Sequence, residues 1–429
     1  MANVKEILGV NSRNRLYLSY NSEFGRRLAD SKLLTKRKLI KAGIPTPQLL
    51  TVLKKPSDVY TFSWQNLPGN FVLKPCSGFG GGGIIIVKRR AKVANEWYLM
   101  EDSLISTSNL QFQALDILAG QYSFHNLPDC ALIEERIKVH KLFKKYAYHG
   151  TPDIRIIVFN KVPVAAMLRL PTPESHGKAN LHQGAIGVGI DLATGITTYG
   201  VHEGQFIKNI PWTKRKINGL KIPNWNQILT LAVRCQEAIP SLGYLGVDIV
   251  FDKEHGPMVL ELNARPGLEI QNANLLPLRK RLERVEGLEV LDAEHGVRIA
   301  KALFAERFAD RVMAEEGIKI INSQEEIKIR DFGGKRIAAI ARIDSGAFRS
   351  SIDQHLAENL GLLKEENVLW KDLYAYRSAQ GKESRPVIGL TFYLAGRRIK
   401  TTASVADRSK LKCPFLVGRN DLAGFLIRP

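Results

Sequence analysis

Residues 71–87 read FVLKPCSGFGGGGIIIV, a short apolar run followed by glycines and then by β-branched residues. Gly78, Gly80 and Gly83 satisfy G-x-G-x-x-G, but a dinucleotide fold needs a helix after the glycines. Here residues 84–87 favour a strand, because β-branched side chains suit the pleated surface of a sheet. A Walker loop would need Gly-Lys-Ser/Thr, which is absent. The stretch therefore predicts a flexible flap that joins two antiparallel strands.

This flap is suited to hold phosphates. Glycine permits close backbone approach, so the N–H groups around Gly80, Gly81 and Gly82 are expected to close over a phosphate group. Lys74, on the strand that leads into the flap, is placed to neutralise phosphate charge. The alternative is an ordinary glycine-rich hairpin without a ligand, since the motif alone is a weak signal.

Two acidic residues lie inside otherwise apolar strands further along the chain. Asp248 stands in YLGVDIVF, and Glu261 and Asn263 stand in VLELNARPG. Strand alternation places Glu261 and Asn263 on one face, and Asp248 on the adjoining strand can join them. Two carboxylates and an amide oxygen suit Mg²⁺ that bridges phosphates. An exposed acidic edge is the alternative, but a buried carboxylate without a cation or donor is costly.

Outside these motifs the apolar pattern of the sequence predicts both helices and strands. Helical spacing runs over residues 29–42 and ends at Gly43, and a second amphipathic helix is predicted over residues 225–239. Strands are predicted over residues 131–137, 153–159 and 162–170, with Asn160 and Lys161 as the hairpin turn between the last two. The character of the chain changes near Glu316, which predicts one domain over residues 1–316 and a β-rich second domain over residues 317–429.

The composition of the chain limits the functional classes to which the protein can belong. The 429 residues carry 62 Lys+Arg against 42 Asp+Glu, a net charge of +20, yet without an arginine-rich tail or an interleaved aromatic stripe. A nucleic-acid partner is therefore the less favoured reading of the charge. We expect no membrane span and, because an apolar signal core is missing at the N-terminus, a cytoplasmic location. The four cysteines have no short spacing and are expected to be free thiols.

Six motifs occur in the order found in ATP-grasp enzymes. They are FVLKPCSGFGGGGIIIV, LIEERIK, DIRIIVFNKVPVAAMLR, KANLHQG, GVDIV and LELNARPGLEIQNAN. Over about residues 10–290 the chain resembles the ribosomal-protein glutamate ligases and the α-L-glutamate-ligase-like proteins. The resemblance implies an α+β chain that begins with an ATP-grasp fold, in which α/β subdomains surround MgATP.

The resemblance also implies roles for individual residues. Contacts to ATP are implied for Lys74, Glu135, Arg136, Asp153, Lys178 and Asn180. Ligands of Mg²⁺, or of Mn²⁺, are implied to be Asp248, Glu261 and Asn263. The resemblance also implies that the acyl-phosphate and the carboxylate substrate are stabilised by Arg155, Arg169 and Arg265. The sequence departs from the best-known members at Lys178-Ala179-Asn180, where they have Arg-Ser-Asn, and at Arg265, where they have a small residue, so the substrate stays open.

The C-terminal part resembles a retropepsin-like domain that is also called an ATP-dependent zinc protease. The resemblance rests on RIDSGAFRSSID and on the tail that contains residues 416–419, LVGR. It implies a small β-rich fold in which Asp344 is a catalytic aspartate. No His-Glu zinc helix or cysteine pair supports a zinc site. Because an aspartic dyad needs two carboxylates and the chain supplies one Asp-Ser-Gly, activity would require a homodimer.

Together these patterns predict an ATP-dependent, ADP-forming carboxylate–amine ligase that works through an acyl-phosphate. Its substrates would be amino acids or peptides, or a protein acceptor, and a glutamyl donor is suggested by the resemblance alone. The C-terminal domain would trim or bind the product. Two alternatives stay open: an ATP-gated peptide-binding protein without ligase chemistry, and a nucleic-acid-binding protein led by the +20 charge.

Overall fold

The computed structural model describes residues 7–78, 80–123, 126–304, 319–370, 375–378, 381–422 and 425–427. The chain divides into two compact units, which are described separately. The first unit combines Met1–Ile190 with Gly195–Glu283, and the second combines Asp191–Thr194 with Arg284–Pro429. The predicted domain boundary at Glu316 lies outside the described residues.

The first unit is a mixed α/β structure. Its helices, which run to the boundary of the unit, are α1 Val10–Leu16, α2 Glu23–Asp30, α3 Lys32–Lys41, α4 Pro56–Thr61, α5 Thr107–Leu118, α6 Lys141–Lys144, α7 Trp225–Ala238, α8 Glu269–Asn274 and α9 Leu278–Val285. Its strands are β1 Leu49–Leu53, β2 Phe71–Pro75, β3 Ile85–Arg90, β4 Glu96–Leu99, β5 Leu104–Ser106, β6 Ala131–Glu135, β7 Asp153–Phe159, β8 Val162–Leu170, β9 Ile186–Ile190, β10 Thr197–His202, β11 Gln205–Ile207, β12 Tyr244–Asp252 and β13 Gly256–Asn263.

These strands form two antiparallel sheets. The first has the order β1-β6-β2-β3-β4-β5, and the second has the order β11-β10-β9-β8-β7-β12-β13. In the first sheet β2 pairs directly with β3, from Phe71 opposite Val87 to Leu73 opposite Ile85. The prediction that the glycines join strand to strand is therefore confirmed.

Each sheet has its own apolar packing. The first sheet packs against α4 and α5 around Phe71 and Trp97, whose rings meet edge to face at 5.9 Å. In the second sheet every residue of β8 and β12 is buried, and α7 and α8 pack against the sheet. A charged residue on β8 or β12 is therefore held in a site that excludes water, which raises the cost of leaving it unpaired.

A predicted helix and a predicted turn in the first unit have different outcomes. The continuous helix expected over residues 29–42 is wrong, because Ser31 is extended and caps α3 by accepting a hydrogen bond from the Leu34 N–H. Gly43, with φ +66°, follows the end of α3 as predicted. The turn at Asn160 and Lys161 is confirmed, since both residues have positive φ, as a two-residue hairpin turn requires.

The prediction of four free thiols is also wrong. Cys76 and Cys130 form a disulfide, although 54 positions separate them in the chain. The reason is the register of the first sheet: Pro75 lies opposite Ala131, so the residues that flank this pair are cross-strand neighbours. Cys235 and Cys413 are buried free cysteines.

The second unit is built around a closed barrel. Its helices are α10 Ala293–Leu303 and α11 Gln354–Asn359. Its strands are β14 Lys319–Ile321, β15 Gln324–Arg330, β16 Arg336–Asp344, β17 Ser350–Asp353, β18 Val368–Trp370, β19 Ala375–Ser378, β20 Gly381–Ser384, β21 Val387–Leu394, β22 Arg397–Ala406, β23 Phe415–Gly418 and β24 Phe425–Ile427. The order β15-β16-β23-β17-β22-β21 closes because β21 also pairs with β15, and β18 adds to β21. Ile327, Phe392 and Phe415 belong to its apolar core.

Within the part of the chain that the structure describes, no helix is long and apolar enough to cross a membrane.

Candidate functional site

Asp248 lies at the centre of a buried charged cluster in the second sheet of the first unit. β12 runs between β7 and β13, so that Asp248 faces Arg155 on one side and Glu261 on the other. Arg155 binds it through two parallel hydrogen bonds, Nε to Oδ1 at 2.7 Å and Nη2 to Oδ2 at 2.6 Å. The geometry of a guanidinium matches a carboxylate, so the orientation of Arg155 is fixed by this pair.

Arg169 and Asp153 complete the cluster from adjoining positions on β8 and β7, where they are direct cross-strand partners. Arg169 donates from Nε and Nη2 to the two oxygens of Asp153 at 2.5 and 2.6 Å, and its Nη2 also reaches Asp248 Oδ2 at 2.7 Å. The cluster thus contains two guanidiniums and two carboxylates. It is electrically balanced, which is what lets four charges share a buried site.

The pKa values of the two carboxyl groups in the cluster shift in opposite directions. Burial raises the pKa of Asp153 to about 6, and the nearby Asp248 adds to this shift although Arg169 opposes it. Burial alone would also raise the pKa of Asp248, but Arg155 and Arg169 together hold it well below its usual range. Asp248 therefore stays ionised at neutral pH, and Asp153 is the carboxyl group that takes up a proton first.

Glu261 and Asn263 lie beside Asp248 and are less buried. Asn263 Nδ2 donates to Asp248 Oδ2 at 3.3 Å, which turns its amide oxygen away from the carboxylate. The Glu261 side chain is 31% exposed and has Lys32 Nζ at 3.7 Å from Oε2. The structure thus brings together the three predicted metal ligands.

This set of donors fits a hard divalent cation. Glu261 and Asn263 supply oxygens, which are the ligands that Mg²⁺ prefers. Asp248 Oδ2 already accepts hydrogen bonds from Arg155, Arg169 and Asn263, whereas Oδ1 accepts the one from Arg155 and keeps a lone pair. Asp248 can therefore contribute Oδ1 without losing its arginine pairs.

A second buried cluster lies in the first sheet. Lys74 on β2 donates to Glu134 Oε1 on the neighbouring β6, and Lys36 Nζ on α3 lies 2.9 Å from Glu134 Oε2. All three side chains are buried. Burial lowers the pKa of Lys36, with Glu134 opposing the shift. Burial would raise the pKa of Glu134, but the two lysines hold it below its usual range. Two cations thus share one anion, so the site carries a surplus positive charge.

Sequence reasoning found Lys74 but missed Lys36, Glu134 and Lys32. Lys32 Nζ donates to the carbonyl of Gly78 at 2.6 Å and lies next to Glu261, so it connects the start of the glycine flap with the proposed metal ligands. The signal that could have found Lys36 is its place in SKLLTKRK, where it follows Leu33 by three residues on the buried face of α3.

The glycine flap contacts the loop that carries Lys178 and Asn180. Gln183 Nε2 donates to the carbonyl of Gly80 at 2.9 Å. Gly80 and Gly81 have φ values of +61° and +73°, and a Cβ on Gly81 would stand 3.2 Å from Lys178 Cδ. The positive φ values favour glycine at both positions, and a Cβ on Gly81 would also require the Lys178 side chain to shift slightly. Gly82 follows as a half-buried residue of the same turn.

Glu135 and Arg136 stand at the end of β6. The Glu135 N–H donates to the carbonyl of Gln48, which fixes the strand end. Arg136 is half-buried, with Nη1 at 3.5 Å from Met100 Sδ, and its buried Nε has no hydrogen-bond partner among the described residues. Burial lowers the pKa of its guanidinium. A buried donor without a partner is costly, so this group is suited to a ligand.

Two other predicted residues form different contacts from those described above. Arg265 pairs with Asp30 at 3.3 Å, and both side chains are about half exposed. Asp344 belongs to the second unit, where its Oδ1 accepts hydrogen bonds from the N–H groups of Gly346 and Ala347. Asp344 lies opposite Gly418 in the parallel pairing of β16 and β23, so the two C-terminal motifs quoted from the sequence are neighbours.

Comparison with known proteins gives a family match over most of the first unit. A family model described as "Sugar-transfer associated ATP-grasp" matches residues 11–287. No curated protein matches the sequence. The comparisons show neither the glutamate-ligase subgroup nor a retropepsin-like C-terminal unit.

Three solved structures that resemble the chain have low identity to it and low TM-scores. The D-cycloserine synthetase DcsG is 14% identical, with a TM-score of 0.36, over 62% of this chain and 74% of its own. The ATP-grasp ligase PsnB, complexed with a minimal precursor, is 16% identical, with a TM-score of 0.33, over 62% and 64%. The D-alanine–D-alanine ligase from Bacillus anthracis, complexed with ATP, is 16% identical, with a TM-score of 0.34, over 65% and 68%.

Proposed function

Because the chain belongs to the sugar-transfer associated ATP-grasp family, we propose that it binds MgATP and joins a carboxylate to an amine through an acyl-phosphate. The observation that carries this proposal is the pair of buried lysines, Lys36 and Lys74, that share the single carboxylate of Glu134. A buried surplus of positive charge is unfavourable unless an anion joins it. A nucleotide phosphate supplies that anion.

The phosphates would lie between these lysines and the flap. Gly80, Gly81 and Gly82 offer backbone N–H groups, and Lys178 reaches the same turn from the facing loop. Lys32, which holds the carbonyl of Gly78, would fix the start of the flap. Arg136 stands where β6 ends, and its buried Nε lacks a partner among the residues that the structure describes. It would contact the nucleotide beside Glu135.

Glu261, Asn263 and the free lone pair of Asp248 would hold Mg²⁺, and Mn²⁺ also accepts such oxygen ligands. When bound, the ion would supply positive charge that offsets the charge that develops in phosphoryl transfer. Arg155 and Arg169, fixed by Asp248 and Asp153, would hold the substrate carboxylate and the transferred phosphoryl group. Arg155 is the more open of the two, with a side chain that is 13% exposed.

The proposed reaction consists of two nucleophilic substitution steps. A carboxylate oxygen attacks the γ-phosphorus of ATP, the bond to the β–γ bridging oxygen breaks, and ADP leaves. The amine then attacks the acyl carbon, loses a proton, and displaces inorganic phosphate as the C–O bond breaks. The product is an amide. A free α-amine suits this role, since its pKa of about 7.7–8.0 leaves part of it neutral near pH 7. Glutamate as the donor is suggested by the sequence resemblance alone.

For the second unit we propose a retropepsin-like role on the same product, which it would trim or hold. Asp344 lies in a tight Asp-Ser-Gly turn beside Gly418. A Cβ added to Gly418 would stand 2.4 Å from the Arg349 carbonyl carbon. A peptidase dyad would need Asp344 from two chains. Sedimentation together with a peptidase assay of wild type and Asp344→Asn tests this role. A monomer that cleaves peptide, or a variant as active as wild type, would rule the dyad out.

The ligase proposal is tested by incubation of the full chain with MgATP and a mixture of amino acids. ADP release that depends on the amino acids, together with products heavier by one condensed residue in the mass spectrum, is the expected result. Saturable ATP binding without ADP release under every substrate mixture would favour the alternative, an ATP-gated peptide-binding protein.

A further inference from the structure

The outer face of the barrel in the second unit carries a group of cations on four adjacent strands. β16, β15, β21 and β22 are hydrogen-bonded in that order. Their outward positions hold five basic side chains, which we call the basic face: Lys328, Arg330, Arg336, Arg398 and Lys400. The alternating residues of β15, such as Ile327 and Ile329, point into the barrel core.

Strand register brings these cations close together. Arg330 lies directly opposite Arg336, and Lys400 lies opposite Thr391. Lys328 and Arg398 flank Tyr393 from the two strands beside it. Like charges at opposed positions of an antiparallel pair are destabilising, so the barrel tolerates an unfavourable arrangement here.

The basic face lacks carboxylate partners. Within the described residues, none of its five members has a carboxylate within 4 Å, whereas Lys88 and Lys138 of the first unit each have one. Glu326 lies on the same face of β15 but forms no ion pair with them. Burial and then the charges of Arg398 and Arg330 lower the pKa of Lys400, with Asp191 acting weakly in the opposite direction. The Nε of Arg398 is buried and has no hydrogen-bond partner in the described part of the chain.

We propose that the basic face binds an extended acidic peptide. Side chains on one face of a strand repeat every two residues, about 6.6–6.8 Å apart, and an extended peptide repeats its own side chains at the same distance. Lys328 with Arg330, and Arg398 with Lys400, have this spacing along their strands. Alternate carboxylates of such a peptide therefore match them in register, and the guanidinium forks bind carboxylates bidentately.

An acidic peptide fits better than a single-stranded nucleic acid. Nucleic-acid binding of that kind relies on aromatic rings on which bases stack. Tyr393, the aromatic residue within this group, already carries the guanidinium of Arg336 over its ring, with Cζ 4.1 Å from the ring centre.

Binding of a fluorescein-labelled decaglutamate to the full chain, followed by anisotropy without ATP and at about 0.15 M ionic strength, where the Debye length is about 8 Å, tests the proposal. The charge-reversal pair Arg330→Glu with Lys400→Glu is compared with Lys410→Glu and Lys412→Glu, which change the net charge of the same unit equally on exposed loop residues. We expect the first pair to weaken binding at least about tenfold and the second less than about twofold, because contact charges act over less than a Debye length.

Control measurements distinguish a loss of decaglutamate binding from misfolding and from effects on ligase activity. Arg330→Glu sets a carboxylate opposite Arg336, so the thermal midpoint should be kept or raised. Absence of saturable decaglutamate binding, equal losses in the two variant pairs, or tighter binding of a single-stranded RNA through the same residues would each overturn the proposal. A labelled decaglutamine should not bind. Since no ATP is present, the result does not depend on ligase activity.

Discussion

The two charged clusters of the first unit differ in their balance. In the first sheet, Lys36 and Lys74 share Glu134, so two cations meet one carboxylate. In the second sheet, Arg155 and Arg169 meet Asp248 and Asp153, so the charges cancel. Both clusters are buried, which makes any imbalance costly.

This difference indicates what each cluster does. The lysine cluster is incomplete without an anion and is therefore suited to bind phosphate. The arginine cluster is complete by itself, so its carboxylates serve mainly to hold two guanidiniums in fixed orientations, while Glu261 and Asn263 at its edge remain available as ligands. Variants should then separate loss of stability from loss of ligand binding.

The largest effect is expected from Asp248→Asn. The change leaves two buried guanidiniums with one carboxylate, so the free energy of unfolding should fall by about 3–5 kcal/mol, and ATP turnover should be lost. Glu261→Gln is the matched variant: its side chain is partly exposed, so turnover should be lost with little change in stability. ADP release and chemical unfolding measure both. Equal stability of the two variants would contradict the view that Asp248 holds the arginines.

In the lysine cluster, removal of a lysine should weaken ATP binding, whereas removal of the carboxylate should lower stability. Lys74→Met removes the surplus charge, so ATP affinity should fall at least about tenfold, while stability without ATP is kept or increased. Glu134→Gln leaves two buried lysines unpaired and should be destabilising by about 3–5 kcal/mol. Lys88→Ala is the control, since Lys88 forms an exposed pair with Asp102. If calorimetry found Lys88→Ala as damaging as Lys74→Met, the assignment of the phosphate site would be wrong.

The disulfide fastens the start of the flap beside the lysine cluster. A bridge that joins residues 54 positions apart should stabilise the first unit by about 2–4 kcal/mol. Cys76→Ser with Cys130→Ser should therefore lower the free energy of unfolding by that amount. The same loss should follow treatment of wild type with a reductant, which should leave the double variant unchanged. A reductant that lowers the stability of both proteins equally would refute the pairing.

The remaining prediction concerns the pKa of the Asp153 carboxyl group. Burial raises its pKa to about 6, above the ordinary value of 3.8, so the folded chain holds a proton that the unfolded chain has lost between about pH 4 and pH 6. The contribution of this group to stability is full below pH 4 and is lost as the pH rises through 6. Asp153→Asn should remove that decline. Thermal midpoints of both proteins at pH 4.5 and 7.5 measure it, and an unchanged pH slope in the variant would exclude Asp153 as its source.

What the sequence predicted correctly was local or lay on neighbouring strands. The flap between β2 and β3 and the turn at Asn160 depend on residues a few positions apart. Asp248 opposite Glu261 also follows from a single hairpin, because strand alternation fixes which side chains share a face.

The missed features depend on long-range pairing. Lys74 meets Glu134 across 60 positions, and Cys76 meets Cys130 across 54, because β6 lies between β1 and β2 in the sheet. Nothing in the spacing of either pair reveals this strand order. The break at Ser31 was missed for a different reason, since a capping serine and a helical serine have the same place in the apolar pattern.

Carboxylate activation by phosphoryl transfer can be followed with isotope-labelled substrates. Amino acids whose carboxylates carry ¹⁸O are incubated with ATP and Mg²⁺, and the inorganic phosphate is analysed by mass spectrometry. We expect one ¹⁸O atom in each phosphate, because the attacking oxygen leaves with the phosphoryl group when the amine displaces it. Phosphate released without ¹⁸O while amide accumulates would contradict the acyl-phosphate route.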